Sequence, residues 1–266
     1  MSDVIEQQRR ELGAFLRARR ERLRPDDVGL PGSPRRRTPG LRREELAALA
    51  GISPTWYTFL EQGRDVRPSR QVLDAIARAL RLGDAERAHL IALTTDPPAV
   101  GDDERPVDPE VVRVVQALDP SPAYVTGETL DLLAHNRAAG TLFRGALDEQ
   151  ERPNLVRWVF LGADARDVLP DWTEVAQGLL ARLRARAGRR PGHPGFTRLV
   201  DELRGASTEA DTWWSRYDIG TEGAGIKRVR LADGEEQRLA HTTFTVAERE
   251  DQTLTVYRRL SSSRRP

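Results

Sequence analysis

Residues 41–64, LRREELAALAGISPTWYTFLEQGR, hold two short helical patterns joined by Ala50-Gly51-Ile52-Ser53. Leu46, Ala47 and Ala50 recur at helical spacing before the joint, and Tyr57 and Leu60 recur after it. Gly51 can supply the left-handed residue that ends one helix. Ser53 offers an N-cap oxygen to the next, and Pro54 suits its first position, where a missing N–H costs nothing. The small Ala47 and Ala50 permit a close crossing at a large angle. This pattern predicts a helix-turn-helix, whose second helix enters the DNA major groove. A tight helical pair can also serve only to pack a core, so the flanking sequence has to decide.

Upstream, Leu12, Phe15, Leu16 and Leu23 give a first helix over 8–23, stopped by Pro25. Residues 25–40, PDDVGLPGSPRRRTPG, read as a loop longer than most helix–helix links. Its Arg35, Arg36 and Arg37 suit an arm lying along a phosphate backbone or in the minor groove. Downstream, Ser69 caps a helix bearing Leu73, Ile76, Ala77 and Leu80, and Asp84 begins a fifth with Leu90, Ile91 and Leu93. Residues 8–95 therefore predict an all-α bundle. Between 9 and 43 there are 12 arginines and 4 acids, a local charge of +8 in a chain whose net charge is +1. Such a stretch beside a helix-turn-helix is what phosphate neutralisation requires.

Winding 53–62 at 100° per residue with Tyr57 and Leu60 inward turns Thr55, Phe59 and Gln62 outward, with Trp56 and Thr58 on the flanks. Ser53, Thr55, Thr58 and Gln62 can hydrogen-bond, and Trp56 and Phe59 can meet a thymine methyl. Arg42, Arg43 and Arg64, at helix ends, are expected on phosphates. The expected partner is double-stranded DNA, read by a homodimer with two half-sites.

A proline-rich acidic stretch marks a linker over 96–108. Residues 109–260 read differently. A helix near 111–118 precedes strands at 123–127 and 130–134, and helices follow at 136–143, 153–161, 171–187, 195–204 and 207–216. Strands near 226–231, 236–247 and 252–260 close the chain, with Asp233-Gly234 as a hairpin turn. The expectation is an α+β domain with helices over one face of an antiparallel sheet. Aromatics concentrate here, and they line ligand pockets as well as ordinary cores. An elongated apolar cavity is expected between Phe244, Val246, Leu254 and Val256 on the sheet and helices carrying Trp158, Trp172, Trp213 and Trp214. Arg157 or Arg216 is placed at its mouth.

Other classes of function find little support. The chain has no cysteine, its four histidines lack metal-ligand spacing, and it has one lysine, Lys227, among 42 basic residues. There is no nucleophile elbow, phosphate loop or apolar run long enough for a membrane span. The expectation is a cytoplasmic protein without catalytic residues, metal or cofactor. A scaffold tethered to DNA without a small ligand, or an enzyme with an accessory DNA-binding module, stays open as an alternative.

Residues 12–82 resemble the Cro/C1 repressor-like helix-turn-helix family throughout. The whole chain is similar to the MmyB-like group of bacterial Cro/C1-type (XRE family) regulators. The resemblance rests on DDVGLPGSPRRRTPGLRREELAALAGISPTWYTFLEQGRDVRPS (26–69), on ALDPSPAYVTGETLDLLAHNRAA (117–139) and on the doublet Trp213-Trp214. His135 and Phe59 stand where that family commonly has tryptophan. The resemblance implies a PAS-like second domain and a fatty-acid-like ligand.

Overall fold

The computed structural model describes residues 2–31, 40–95, 106–144, 153–220, 224–247 and 249–260. They form two compact units. The first comprises Met1–Val100, Arg184–Pro194 and Trp213–Gly220, and the second Gly101–Leu183, Gly195–Thr212 and Thr221–Pro266. No helix among the described residues is long and apolar enough to cross a membrane.

Five helices build most of the first unit: α1 (Ser2–Arg22), α2 (Arg43–Ala50), α3 (Pro54–Glu61), α4 (Arg70–Ala79) and α5 (Asp84–Ala92). The apolar stripe of α1 (Leu12, Phe15, Leu16) meets Leu46, Ala47, Tyr57, Leu60, Ile76 and Leu90 in one buried cluster. α1 begins well before the expected residue 8. The side chain of Gln8 donates to the carbonyls of Ala92 (3.3 Å) and Thr95 (2.7 Å), tying α1 to the end of α5. α1 crosses α3 at Gly13, where an added Cβ would lie 2.5 Å from the carbonyl oxygen of Glu61.

A buried ion pair fixes the end of α3. Arg20 donates from Nε (2.8 Å) and Nη2 (2.9 Å) to the two carboxylate oxygens of Glu61, and from Nη1 to the carbonyl of Leu41 (2.7 Å). This two-pronged geometry is available to a guanidinium and not to an ammonium. Burial opposes ionisation of Glu61, but hydrogen bonds and charge from Arg20, then Arg43, hold its pKa below the ordinary value.

Two later stretches complete the unit. The guanidinium of Arg184 stacks on Trp214 (3.8 Å to the ring centroid) and on Tyr217 (4.0 Å). Arg184, Arg22 and Arg19 donate to the carbonyls of Trp214, Arg216 and Tyr217 respectively, and Arg22 also pairs with Asp218 at 2.6 Å. Gly188 touches the buried ring of His89, where a Cβ would come within 2.3 Å of Cε1. Burial, then the charges of Arg184 and Arg19, push His89 down to about 3, so its imidazole is neutral.

The second unit holds a five-stranded sheet. Its strands are β1 (Ala123–Thr126), β2 (Leu132–His135), β3 (Gly225–Arg230), β4 (Glu236–Val246) and β5 (Arg249–Arg259), in spatial order β2-β1-β5-β4-β3 with every pairing antiparallel. Its helices are α6 (Pro109–Ala117), α7 (Arg137–Leu142), α8 (Leu155–Leu161), α9 (Ala165–Val168), α10 (Trp172–Arg189), α11 (Pro194–Ala206) and α12 (Thr208–Trp214), of which α10 and α12 run on into segments of the first unit. Val111, Val115 and Leu118, on α6 and its end, pack against Ala123, Val125, Leu254 and Val256 on one sheet face. Strand alternation puts Tyr124, Thr255 and Tyr257 on the other. There Phe143 meets Tyr124 (5.7 Å), Tyr257 (5.4 Å) and Trp158 of α8 (5.9 Å), all edge-on. The sheet is thus covered on both faces. Asn136 joins the layers: its Oδ1 accepts from the backbone of Ala123 (3.1 Å) and Ala139 (3.0 Å), which also caps α7.

Candidate nucleic-acid interface and the helix-covered sheet face

The joint between α2 and α3 is built by local chemistry. Gly51 is left-handed (φ 66°) and donates to the carbonyl of Ala48 at 3.1 Å, while Ile52 donates to that of Ala47 at 3.0 Å. This pair of bonds is the Schellman closure. Ser53, in an extended conformation, caps α3 by accepting from the N–H of Trp56, and Pro54 follows. The N-terminus of α2 is closed by Glu45, whose carboxylate accepts from the N–H of Arg42 at 2.7 Å.

On α3, Thr55 is exposed, as are Ser53 before the helix and Gln62 after it. Trp56 is half-buried against the core. Thr58 and Phe59 are also half-buried. The Thr58 hydroxyl donates to the Pro54 carbonyl at 2.8 Å, which leaves its oxygen able to accept from a base amino group. The exposed Arg64 sets its guanidinium over the Phe59 ring, 4.5 Å from the centroid. Arg42 is exposed. Both Nε and Nη2 of Arg43 reach Glu61 at 2.8 Å, with the side chain 42% exposed. That guanidinium holds α3 in place. Arg35, Arg36 and Arg37 lie outside the described residues.

The residues expected around a cavity are divided. Trp158 and Trp172 are buried in the second unit, and Trp172 donates to the carbonyl of Val159 at 2.7 Å with Arg166 stacked 3.6 Å from its ring centroid. The indole N–H of Trp158 is buried without a hydrogen-bond partner among the described residues. Trp213 and Trp214 belong to the first unit. Phe244 is 53% exposed and pairs with Leu254 on the α6 side, opposite the face that meets Trp158. Arg157 is engaged by Glu202 (2.7 and 2.8 Å), and Arg216 is exposed in the first unit.

The face that meets Phe143 and Trp158 instead carries residues that the sequence reading left aside. His241 of β4 pairs in register with Tyr257 of β5 and Gly225 of β3, and their two rings lie 5.5 Å apart. Lys227, two residues along β3 on the same face, donates to the Tyr257 hydroxyl at 3.3 Å, and that hydroxyl lies 3.3 Å from the one on Tyr124. Desolvation, then the charge of Arg182 on α10, lowers Lys227 to about 7. His241 falls to about 4 by burial, then by Lys227 and Arg182. A void of about 10 Å³, room for about one water, lies at the β2 end of this face between Tyr124, His135 and Phe143. The available signal was Lys227 itself, the one lysine of the chain, two positions from the apolar Val229 and so on the same strand face.

Residues 107–264 match the family model described as "MmyB-like transcription regulator ligand binding domain", and residues 11–90 match one described as "Helix-turn-helix domain". A search of curated proteins finds no match.

Proposed function

This chain belongs to the MmyB-like transcription regulators, and from that premise we propose that it reads a specific operator through α3 as a homodimer and senses a fatty-acid-like ligand in its second domain. The helix-turn-helix and the ligand-binding domain make it a DNA-binding transcription regulator with a ligand-sensing domain. The observation that carries the specific reading is the division of labour on α3. Tyr57 and Leu60 are buried, and Glu61 is locked by Arg20, while Thr55 and Gln62 stay exposed at either end of the outward face. A helix held rigidly from behind with polar groups in front is what base readout needs.

The ligand reading is supported by an aromatic layer of Phe143, Tyr124, Tyr257 and Trp158 between the sheet and its helices. Burying an apolar tail there contributes roughly 0.8 kcal/mol per methylene. For regulation, the ligand must bind the DNA-competent and DNA-incompetent states with different affinities.

The test has two arms. After selection of an operator from random duplexes, Thr55→Ala is expected to cost about 1–3 kcal/mol at one base position and relax preference there. Arg64→Ala is expected to weaken all duplexes alike and to lower the salt slope by about 1. Two variants that bind every duplex like wild type would remove α3 from the interface. In the second arm, a medium-chain or long-chain fatty acid is expected to shift operator affinity of the full chain. An unchanged affinity at saturating fatty acid ends the sensor reading.

A further inference from the structure

Two cations, Lys227 on the sheet face under α8 and Arg182 on α10, have no acid to balance them among the described residues. Among the described residues, no carboxylate pairs with Lys227, whose ammonium end is enclosed by protein although part of its side chain keeps accessible surface. Arg182 has none either, and its charge is felt at Lys227, His241 and Tyr257 alike. By contrast, the buried Arg20 is matched by Glu61 at 2.8 Å. Buried charge is ordinarily paired, because an unpaired ion in a low-dielectric interior is costly. The other groups fit an anion too. The Tyr257 hydroxyl sits between Lys227 and Tyr124, and the buried Nδ1 of His241 has no hydrogen-bond partner among the described residues.

We propose that Lys227 and Arg182, with the Tyr257 hydroxyl, form the recognition point for a single carboxylate on an otherwise apolar ligand. The inference rests on the ligand-sensing reading above and adds where the head of that ligand lies. Two oxygens suit this donor set: one takes the ammonium and the other the guanidinium or the phenol. The tail then runs among the aromatic rings of Phe143 and Trp158. Lysine is also the right cation for a site that is empty part of the time. A compact ammonium can shed its proton when unpaired, which a guanidinium cannot.

The experiment uses the full chain with two probes of equal tail, sodium dodecanoate and 1-dodecanol, titrated by calorimetry below their aggregation limits. Dodecanoate is expected to bind at least about tenfold more tightly, the effect of one charge-assisted contact. Lys227→Met, which relieves a desolvated charge and so should fold, is expected to bring dodecanoate down to the affinity of dodecanol and leave dodecanol unchanged. Arg182→Met is expected to act in the same direction. Because Lys227 is the only lysine, lysine-specific isotope labelling gives one side-chain signal. Its titration midpoint should rise from about 7 with dodecanoate and stay with dodecanol. A merely structural lysine would move neither the selectivity nor that midpoint. Equal affinity of the two probes in wild type, or unchanged selectivity in both variants, overturns the head-group assignment while the apolar ligand stands. No binding of either probe overturns the ligand reading and this inference together.

Discussion

Glu61 stays ionised inside the protein because two guanidiniums, those of Arg20 and Arg43, outweigh the cost of burying it. Removing one partner of such a pair leaves an uncompensated buried charge, at about 3–5 kcal/mol. Glu61→Gln is therefore expected to lower the stability of the first unit by about that much at pH 7. The folded carboxyl titrates below its unfolded value, so its contribution is fully present above about pH 4.3 and is lost as pH falls through the folded pKa. Urea titrations followed by circular dichroism should show a large gap between wild type and variant at pH 7 that closes toward pH 3. A gap of constant size across that range would show that the carboxylate charge is not what stabilises the site. The pair was not legible in the sequence. Arg20 and Glu61 are 41 positions apart, and in one chain nothing distinguishes them from dozens of other charged residues.

Gly13 and Gly51 show how differently the same residue serves two elements. Gly51 has open space around its missing side chain but a left-handed backbone, whereas helical Gly13 faces the Glu61 carbonyl at contact distance. Gly51→Ala should cost about 1–2 kcal/mol of conformational strain. Gly13→Ala gains helix propensity yet forces α1 away from α3, and overpacking of that kind costs about 1–3 kcal/mol. Thermal melts measure both losses. Only Gly13→Ala is expected also to weaken operator binding in proportion, since it displaces the helix that reads DNA. The α2–α3 joint was legible because glycine, capping serine and proline act within a few residues of one another. Helix and strand order in the second domain was legible for the same reason. Which side of the sheet meets α8 was not. With α6 on one face and α8 on the other, β5 carries apolar groups on both, Leu254 and Val256 against Tyr257. Aliphatic content then pointed to Phe244's side, while the polar Lys227, His241 and Thr255 gave no apolar signal for the other. The short α9 has no periodic signal in four residues and was missed.

At the scale of the whole molecule, one helix-turn-helix reads too short a site for tight discrimination, so two copies are expected on half-sites about one helical turn apart. Sedimentation at tens of micromolar with operator DNA should show two chains per duplex; monomers alone, with and without DNA, would refute that stoichiometry. The unit that carries α3 is itself assembled from three parts of the chain, residues 1–100, 184–194 and 213–220. A fragment ending at residue 100 lacks the Gly188 backbone that lies on His89, as well as the carbonyls that occupy Arg19 and Arg22. It is expected to melt below the intact protein and to regain stability when a peptide covering 184–220 is added; equal melting would mean that these segments contribute nothing. The same arrangement sets an order of events during synthesis. A ribosome adds about 5–20 residues per second, so about 6–24 seconds separate the emergence of residue 100 from that of residue 220. Through that interval the nascent operator-reading unit waits, without the carbonyls of Tyr217 and Arg216 that Arg19 and Arg22 reach, for segments not yet translated. A ribosome that stalls before residue 213 leaves behind a chain holding the whole helix-turn-helix sequence but not the whole unit.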